Sequence, residues 1–308
     1  MLKPADEHSD LSFLLRSAIA GGIAGGVAKT SVTPLDRIKI LFQTHNADFQ
    51  RFSGPWRGIG DAIQFIIRNQ GVRGLFQGNT LTLARAIPHA AVGYTVYDKA
   101  NQFLMPAPDS QTSFRRLLAG AITGLSAMPF TYPFEVIRVR MAIETKNYTQ
   151  RSSPWSAIRT IWSEGRSNGR ITPLPILNFY RGFTVSALGV VPYRGGVFLI
   201  WESLNAYSRK TLRPETLRTH KTRIHLAVGA IAGTVFQIAT YPLEIIRRTQ
   251  QANGEPKMIG IRETVSQIWT RGGWRGFYVG LGVGLIKQVP MYSVSLTVWQ
   301  IAKGFLDI

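Results

Sequence analysis

The sequence predicts an all-α membrane protein of six transmembrane helices, arranged as three pseudosymmetric repeats of about 100 residues. Three observations predict it. A proline motif recurs three times, each copy closes a glycine-rich apolar stretch, and a second glycine-bounded motif precedes a further apolar stretch in every repeat.

The first motif reads Pro34-Leu35-Asp36-Arg37-Ile38-Lys39, Pro133-Phe134-Glu135-Val136-Ile137-Arg138 and Pro242-Leu243-Glu244-Ile245-Ile246-Arg247. Each copy places a carboxylate two positions after the proline and a base five positions after it. From Pro34 to Pro133 is 99 positions and from Pro133 to Pro242 is 109. The odd-numbered spans are the stretches that these prolines end, residues 13–32, 117–132 and 226–241. Glycines four apart, Gly21/Gly25, Gly22/Gly26, Gly120/Gly124 and Gly229/Gly233, suit close helix packing in lipid.

The second motif runs from Gly74 to Gly78, from Asn178 to Gly182 and from Gly276 to Gly280. The even-numbered spans follow at residues 80–103, 183–201 and 281–305. Between the two motifs lie short amphipathic segments beginning near Pro55, Pro154 and Ile259, which read as helices in the membrane interface. The chain divides into a tail, residues 1–11, and repeats at 12–107, 108–214 and 215–308, together one transport domain. An even number of spans puts both termini on one side, and the basic loops inside each repeat face the inner side by the positive-inside rule.

Composition narrows the function. Of 308 residues, 45% are apolar, and 36 Lys+Arg against 17 Asp+Glu give a net charge of +19, which calls for an anionic partner. Six apolar spans argue against a nucleic-acid-binding protein. With no cysteine, disulfides and cysteine-based sites are absent, and the five histidines lack metal-ligand spacing. Residues 21–30 resemble a phosphate-binding loop only until the lysine, which comes two positions late, and the Gly280, Gly282, Gly284 run lacks a strand-turn-helix context. Neither a catalytic constellation nor a metal site is expected, and the chain reads as no enzyme. The amino terminus carries neither a secretory signal nor a presequence pattern.

Carboxylate and base three apart share a helix face. Asp36, Lys39, Glu135, Arg138, Glu244 and Arg247 can therefore form a closed ring in which each carboxylate meets the next helix's base, a gate at the inner ends of the spans. Pro34, Pro133 and Pro242 would kink the helices and draw those ends inward. Arg85, Arg194 and Lys287 stand inside even spans, where a cation costs about 2.5–3.5 kcal/mol; a shared anionic ligand accounts for all three. A purely structural membrane protein would not need them.

On these residues the chain resembles the mitochondrial carrier family over about residues 12 to 306, and within it most of all the coenzyme A carriers, through residues 34–44, 71–78 and 287–291. The resemblance implies a threefold helical barrel in the mitochondrial inner membrane, alternating access, and both termini in the intermembrane space. It implies that the ring is the matrix gate, with glutamine braces nine residues after the proline at Gln43 and Gln251, where the second repeat has Ala142. The cytoplasmic network of the family maps onto Asp98, Glu202 and Lys303, of which only Glu202 and Lys303 can pair ionically. That weaker network implies a resting state open to the cytoplasm.

The family's substrate contacts fall on Arg85, the pair Gly189 and Val190, and Lys287, with Tyr193 and Arg194 just beyond. A glycine followed by an aliphatic residue resembles carriers of adenine nucleotides. The expected substrate is coenzyme A or a close relative such as adenosine 3′,5′-bisphosphate, the alternatives being ATP/ADP, NAD or thiamine pyrophosphate. No cofactor is expected. Cardiolipin is the expected bound lipid, at the helix N-termini of the basic interface segments, and the chain is expected to act as a monomer.

Overall fold

The structure, a computed structural model, describes residues 7–52, 57–106, 112–145, 153–164, 174–211, 221–254 and 258–306. Its regular elements are helical. They are α1 (Glu7–Gln43), α2 (Arg57–Gln70), α3 (Asn79–Ala84), α4 (Ala86–Leu104), α5 (Ser113–Ile143), α6 (Pro154–Ser163), α7 (Phe183–Thr211), α8 (Lys221–Ala252), α9 (Ile261–Gly272), α10 (Leu281–Ile286) and α11 (Gln288–Leu306). Short 3-10 turns at Val72–Phe76, Pro175–Tyr180 and Gly273–Tyr278 lead into the even-numbered rods.

Six rods stand in a closed ring: α1, α3 with α4, α5, α7, α8, and α10 with α11. Each touches the next, and α11 returns to α1. Each odd rod runs about ten residues beyond its predicted span, through Pro34, Pro133 or Pro242. A proline inside a helix forfeits one backbone hydrogen bond; α1, α5 and α8 continue through theirs and contact one another.

The even rods break for a related reason. Pro88 and Pro290 cannot donate to the carbonyls four residues back, and α3 and α10 end at those residues, Ala84 and Ile286. Arg85 and Lys287 sit at the breaks.

The core gathers at the converging end. Past the prolines, Ile38, Leu41 and Phe42 pack with Ala62 and Ile66 of α2. Val136, Ile137 and Met141 pack with Ala157 and Ile161 of α6 in the second repeat, and Ile245 and Ile246 with Ile268 of α9 in the third. The buried pairs on α2 and α6 are four apart, one stripe of an amphipathic helix facing inward. Caps define several boundaries. Thr112 accepts from the Arg115 amide, and Ser153 with Ser156 forms a capping box ahead of Pro154. α1 ends in a Schellman motif, with Asn46 N–H to Leu41 O, His45 N–H to Phe42 O, and His45 at φ 49°.

Gly78, Gly182 and Gly280 take φ of 85°, 77° and 80° where the 3-10 turn enters the even rod. A Cβ at Gly78 would stand 3.3 Å from the Arg138 carbonyl oxygen, at Gly182 3.1 Å from that of Arg247, and at Gly280 3.5 Å from that of Lys39. Each repeat therefore lays a left-handed glycine against the backbone of the ring base of the next.

One expectation needs correction. Of the glycines expected to bring helices together, Gly21 and Gly26 face Trp299 and Leu83, but Gly22, Gly25, Gly229 and Gly233 face open space. Among the described residues, one helix, Ala227–Ala252, is long and apolar enough to cross a membrane by composition.

Candidate functional site

At the converging end the six ring residues pair across the repeats. Arg138 Nη2 lies 2.9 Å from Asp36 Oδ2, Lys39 Nζ lies 2.8 Å from Glu244 Oε1, and Arg247 pairs with Glu135 Oε1. Three ion pairs thus close the first-to-second, third-to-first and second-to-third seams. Spacing on one helix face put each carboxylate beside a base; the packing of α1, α5 and α8 brings the three helix ends within reach.

Two of these pairs are underpinned by a glutamine–tyrosine bridge. Gln43 Nε2 donates to the Tyr241 hydroxyl at 3.0 Å, which donates to Val279 O at 3.0 Å. Gln251 Nε2 donates to the Tyr132 hydroxyl at 3.0 Å, which lies 2.9 Å from Arg181 O. Both glutamines are fully buried. Each tyrosine immediately precedes the motif proline, so the bridge ties a brace on one repeat to the turn leading into the even rod of another.

Two isolated cations of the even rods, Arg85 and Lys287, reach this ring. Arg85 Nη1 lies 2.9 Å from Glu135 Oε2, and Lys287 Nζ lies 2.6 Å from Asp36 Oδ1. Arg248, which the sequence reading passed over, adds a 2.9 Å contact to Glu135 Oε1 and another to Gln251 Oε1. Six cations therefore converge on three carboxylates. Lys29 was also missed. It is half-buried on α1, five residues before Pro34; its electrostatic neighbours are Arg85, Arg138 and Asp36, and it forms no ion pair among the described residues. The signal was available, since Lys29 is a cation inside an apolar span like Arg85 and Lys287. Such an excess of positive charge in a partly desolvated site attracts an anion.

Gly189 lies on α7 three residues before Pro192, as Arg85 and Lys287 lie three before Pro88 and Pro290. A Cβ added at Gly189 would meet nothing within 4 Å. Val190 beside it is half-buried. Tyr193 and Arg194 continue α7, but their side chains lie outside the described residues.

At the opposite ends of the even rods, no salt bridge joins Asp98, Glu202 and Lys303 among the described residues. Asp98 and Glu202 are exposed. Lys303 instead lies over the ring of Trp299, one turn back on its own helix, 5.6 Å from the centroid, and Asn205 bonds back to Trp201 O. Lys303 and Asn205 thus find partners on their own rods.

A threefold ring of helices, closed at one end by ion pairs around a cationic interior, is the architecture of a solute carrier. The chain belongs to the mitochondrial carrier protein family, which it matches over residues 10–107, 109–211 and 218–307. It is accordingly a transporter and not an enzyme. Mitochondrial carrier protein LEU5 of Saccharomyces cerevisiae is 34% identical over 98% of this chain and 93% of its own length. Mitochondrial carrier protein CoAc2 of Zea mays is 31% identical over 97% and 88%, and mitochondrial adenine nucleotide transporter ADNT1 of Arabidopsis thaliana is 32% identical over 96% and 88%.

Proposed function

We propose that this carrier moves coenzyme A, or a closely related adenine nucleotide such as adenosine 3′,5′-bisphosphate, across the mitochondrial inner membrane by alternating access to one central site. The observation that carries this reading is the surplus of cations, Lys29, Arg85, Lys287 and Arg248, around three carboxylates, with the open side of Gly189 on the neighbouring rod wall. Phosphate groups would take Lys29, Arg85 and Lys287 as charge-assisted donors. A flat purine fits beside Gly189 and Val190, with Tyr193 and Arg194 further along. The names of CoAc2 and ADNT1 support the same substrate class. ATP/ADP, NAD and thiamine pyrophosphate are the competing substrates.

In this reading all six rods span the bilayer, and exposed apolar stripes such as Ile19, Ile23 and Val27 on α1 face lipid. Both termini lie in the intermembrane space and the ring of Asp36, Lys39, Glu135, Arg138, Glu244 and Arg247 is the matrix gate, braced by Gln43 and Gln251. Asp98, Glu202 and Lys303 line the cytoplasmic opening, unpaired while the matrix gate is shut. Because Arg85 and Lys287 hold gate carboxylates, a phosphate that takes them away loosens the gate, which couples binding to opening. The chain works as a monomer, with cardiolipin at the N-termini of the interface helices α2, α6 and α9.

The test is thermal unfolding of the purified protein in detergent with coenzyme A, adenosine 3′,5′-bisphosphate, ADP, ATP, thiamine pyrophosphate and NAD. Selective stabilisation by coenzyme A, lost in Arg85→Ala and Lys287→Ala, is the expected result. Stabilisation by another compound alone removes coenzyme A from the reading.

A further inference from the structure

The ring is asymmetric at one seam. Where Gln43 and Gln251 brace their pairs, the Asp36–Arg138 pair has Ala142; where Tyr241 and Tyr132 receive the braces, the first repeat has Thr33, turned to Asn79. Both halves of the glutamine–tyrosine bridge are missing from the seam between the first and second repeats.

Arg37 occupies that seam. It is 1% exposed, has no carboxylate partner, and gives its guanidinium to backbone carbonyls. Nε donates to Ala142 O at 3.1 Å, Nη2 to Glu144 O at 3.0 Å, and Nη1 to Gly74 O. Ala142 and Glu144 lie at the C-terminal end of α5, where helical carbonyls lack intrahelical donors and the helix dipole is negative. A buried cation needs such compensation, and the end of α5 supplies it only while docked against α1. Separating the seam would strand both the guanidinium and the carbonyls.

We propose that Arg37 is the positioning residue that replaces the missing brace, locking the Asp36–Arg138 seam by capping α5 from the neighbouring repeat. The inference rests on the ring being the gate, and it is specific to one seam. At the second-to-third seam, Arg140 and Arg181 also reach a helix-end carbonyl, that of Asn253, but there Gln251 is present as well. At the third-to-first seam α1 caps its own end through His45.

Because the chain has no cysteine, seam opening can be read without a substrate. Ala142→Cys reports the seam, and Ala232→Cys, fully buried on α8, reports general loosening. Arg37→Lys, which keeps the charge but not the three-way fork, is expected to raise the alkylation rate of the cysteine at 142 about tenfold while leaving that at 232 within about twofold. Arg37→Ala is expected to lower Tm by roughly 5 °C, and adding Ala142→Gln with Thr33→Tyr to recover most of that loss. If Arg37→Ala does not fold, Arg37→Lys decides. Unchanged labelling at 142, an equal rise at both positions, or no recovery by the rebuilt bridge overturns the proposal. Liposome exchange of coenzyme A is measured alongside. Labelling as expected with unchanged exchange keeps the lock and removes the gate reading, whereas no exchange by the unsubstituted protein removes only the substrate reading.

Discussion

Lys39 and Glu244, 205 positions apart in the chain, meet at 2.8 Å and close the ring between its first and last repeats. Lys39 is 7% exposed and Glu244 27%, so each shields the other from an uncompensated charge. Removing either partner from a buried pair costs about 3 kcal/mol or more. Lys39→Ala should therefore lower both Tm and liposome exchange sharply, and Lys39→Glu with Glu244→Lys should recover much of each. A double exchange no better than the singles would show that the pair does not hold this seam.

Gly78 and Gly273 separate two effects that a left-handed glycine can have. Both have positive φ, but a Cβ at Gly78 meets the Arg138 carbonyl and Cγ, while one at Gly273 meets nothing within 4 Å. Gly273→Ala should cost roughly 1–3 kcal/mol from backbone strain alone, since its ψ of −149° lies in a region nearly closed to residues with a Cβ, whereas Gly78→Ala should combine about 1 kcal/mol of strain with displacement of the Arg138 side chain. Thermal unfolding of the two variants side by side makes the comparison.

Lys29 has no carboxylate of its own, so its removal should leave the ring intact while weakening anion binding. Lys29→Ala is expected to keep the Tm of the ligand-free protein within a few degrees and to raise the concentration of coenzyme A needed for half-maximal stabilisation about tenfold. A fall in ligand-free Tm as large as that of Lys39→Ala would mark Lys29 as structural.

His45 supplies a pH dependence. Burial first, then the Arg271 guanidinium, holds its imidazole below the ordinary value of 6.5. Its Nε2 is buried without a hydrogen-bond partner. The folded state thus favours the neutral ring: the stability this gives is complete above pH 6.5 and is lost as pH falls from there through the lowered folded value. His45→Asn keeps a residue suited to positive φ and should flatten the decline in Tm between about pH 7.5 and about pH 5.5. An unchanged slope would assign the pH dependence elsewhere.

In the proposed resting state the ring is shut and the interior opens on the opposite side. In this cysteine-free chain Gly189→Cys should react with a membrane-impermeant thiol reagent from the intermembrane-space side, and slowly from the matrix side. Faster matrix-side labelling would overturn the proposed resting state.

The members of the ring could be read from the sequence because a local rule made them recur. A carboxylate and a base three apart share a helix face wherever the helix goes, and three copies at one period implicate each other. The even-rod cations stood out because charge inside an apolar span is conspicuous. Arg37 did not, since a motif rich in charge makes one more arginine look like a solvated side chain.

By itself the sequence determined the three repeats, the six rods with a proline in each odd one, and the residues available for the ring, because helix periodicity and proline's missing N–H act over a few residues. Only the tertiary structure decided which base meets which carboxylate, that Arg85 and Lys287 lean on Glu135 and Asp36, and that Arg37 caps α5 where no brace exists. Those choices depend on how helix ends pack across about 100 residues of chain, and no local spacing encodes that distance.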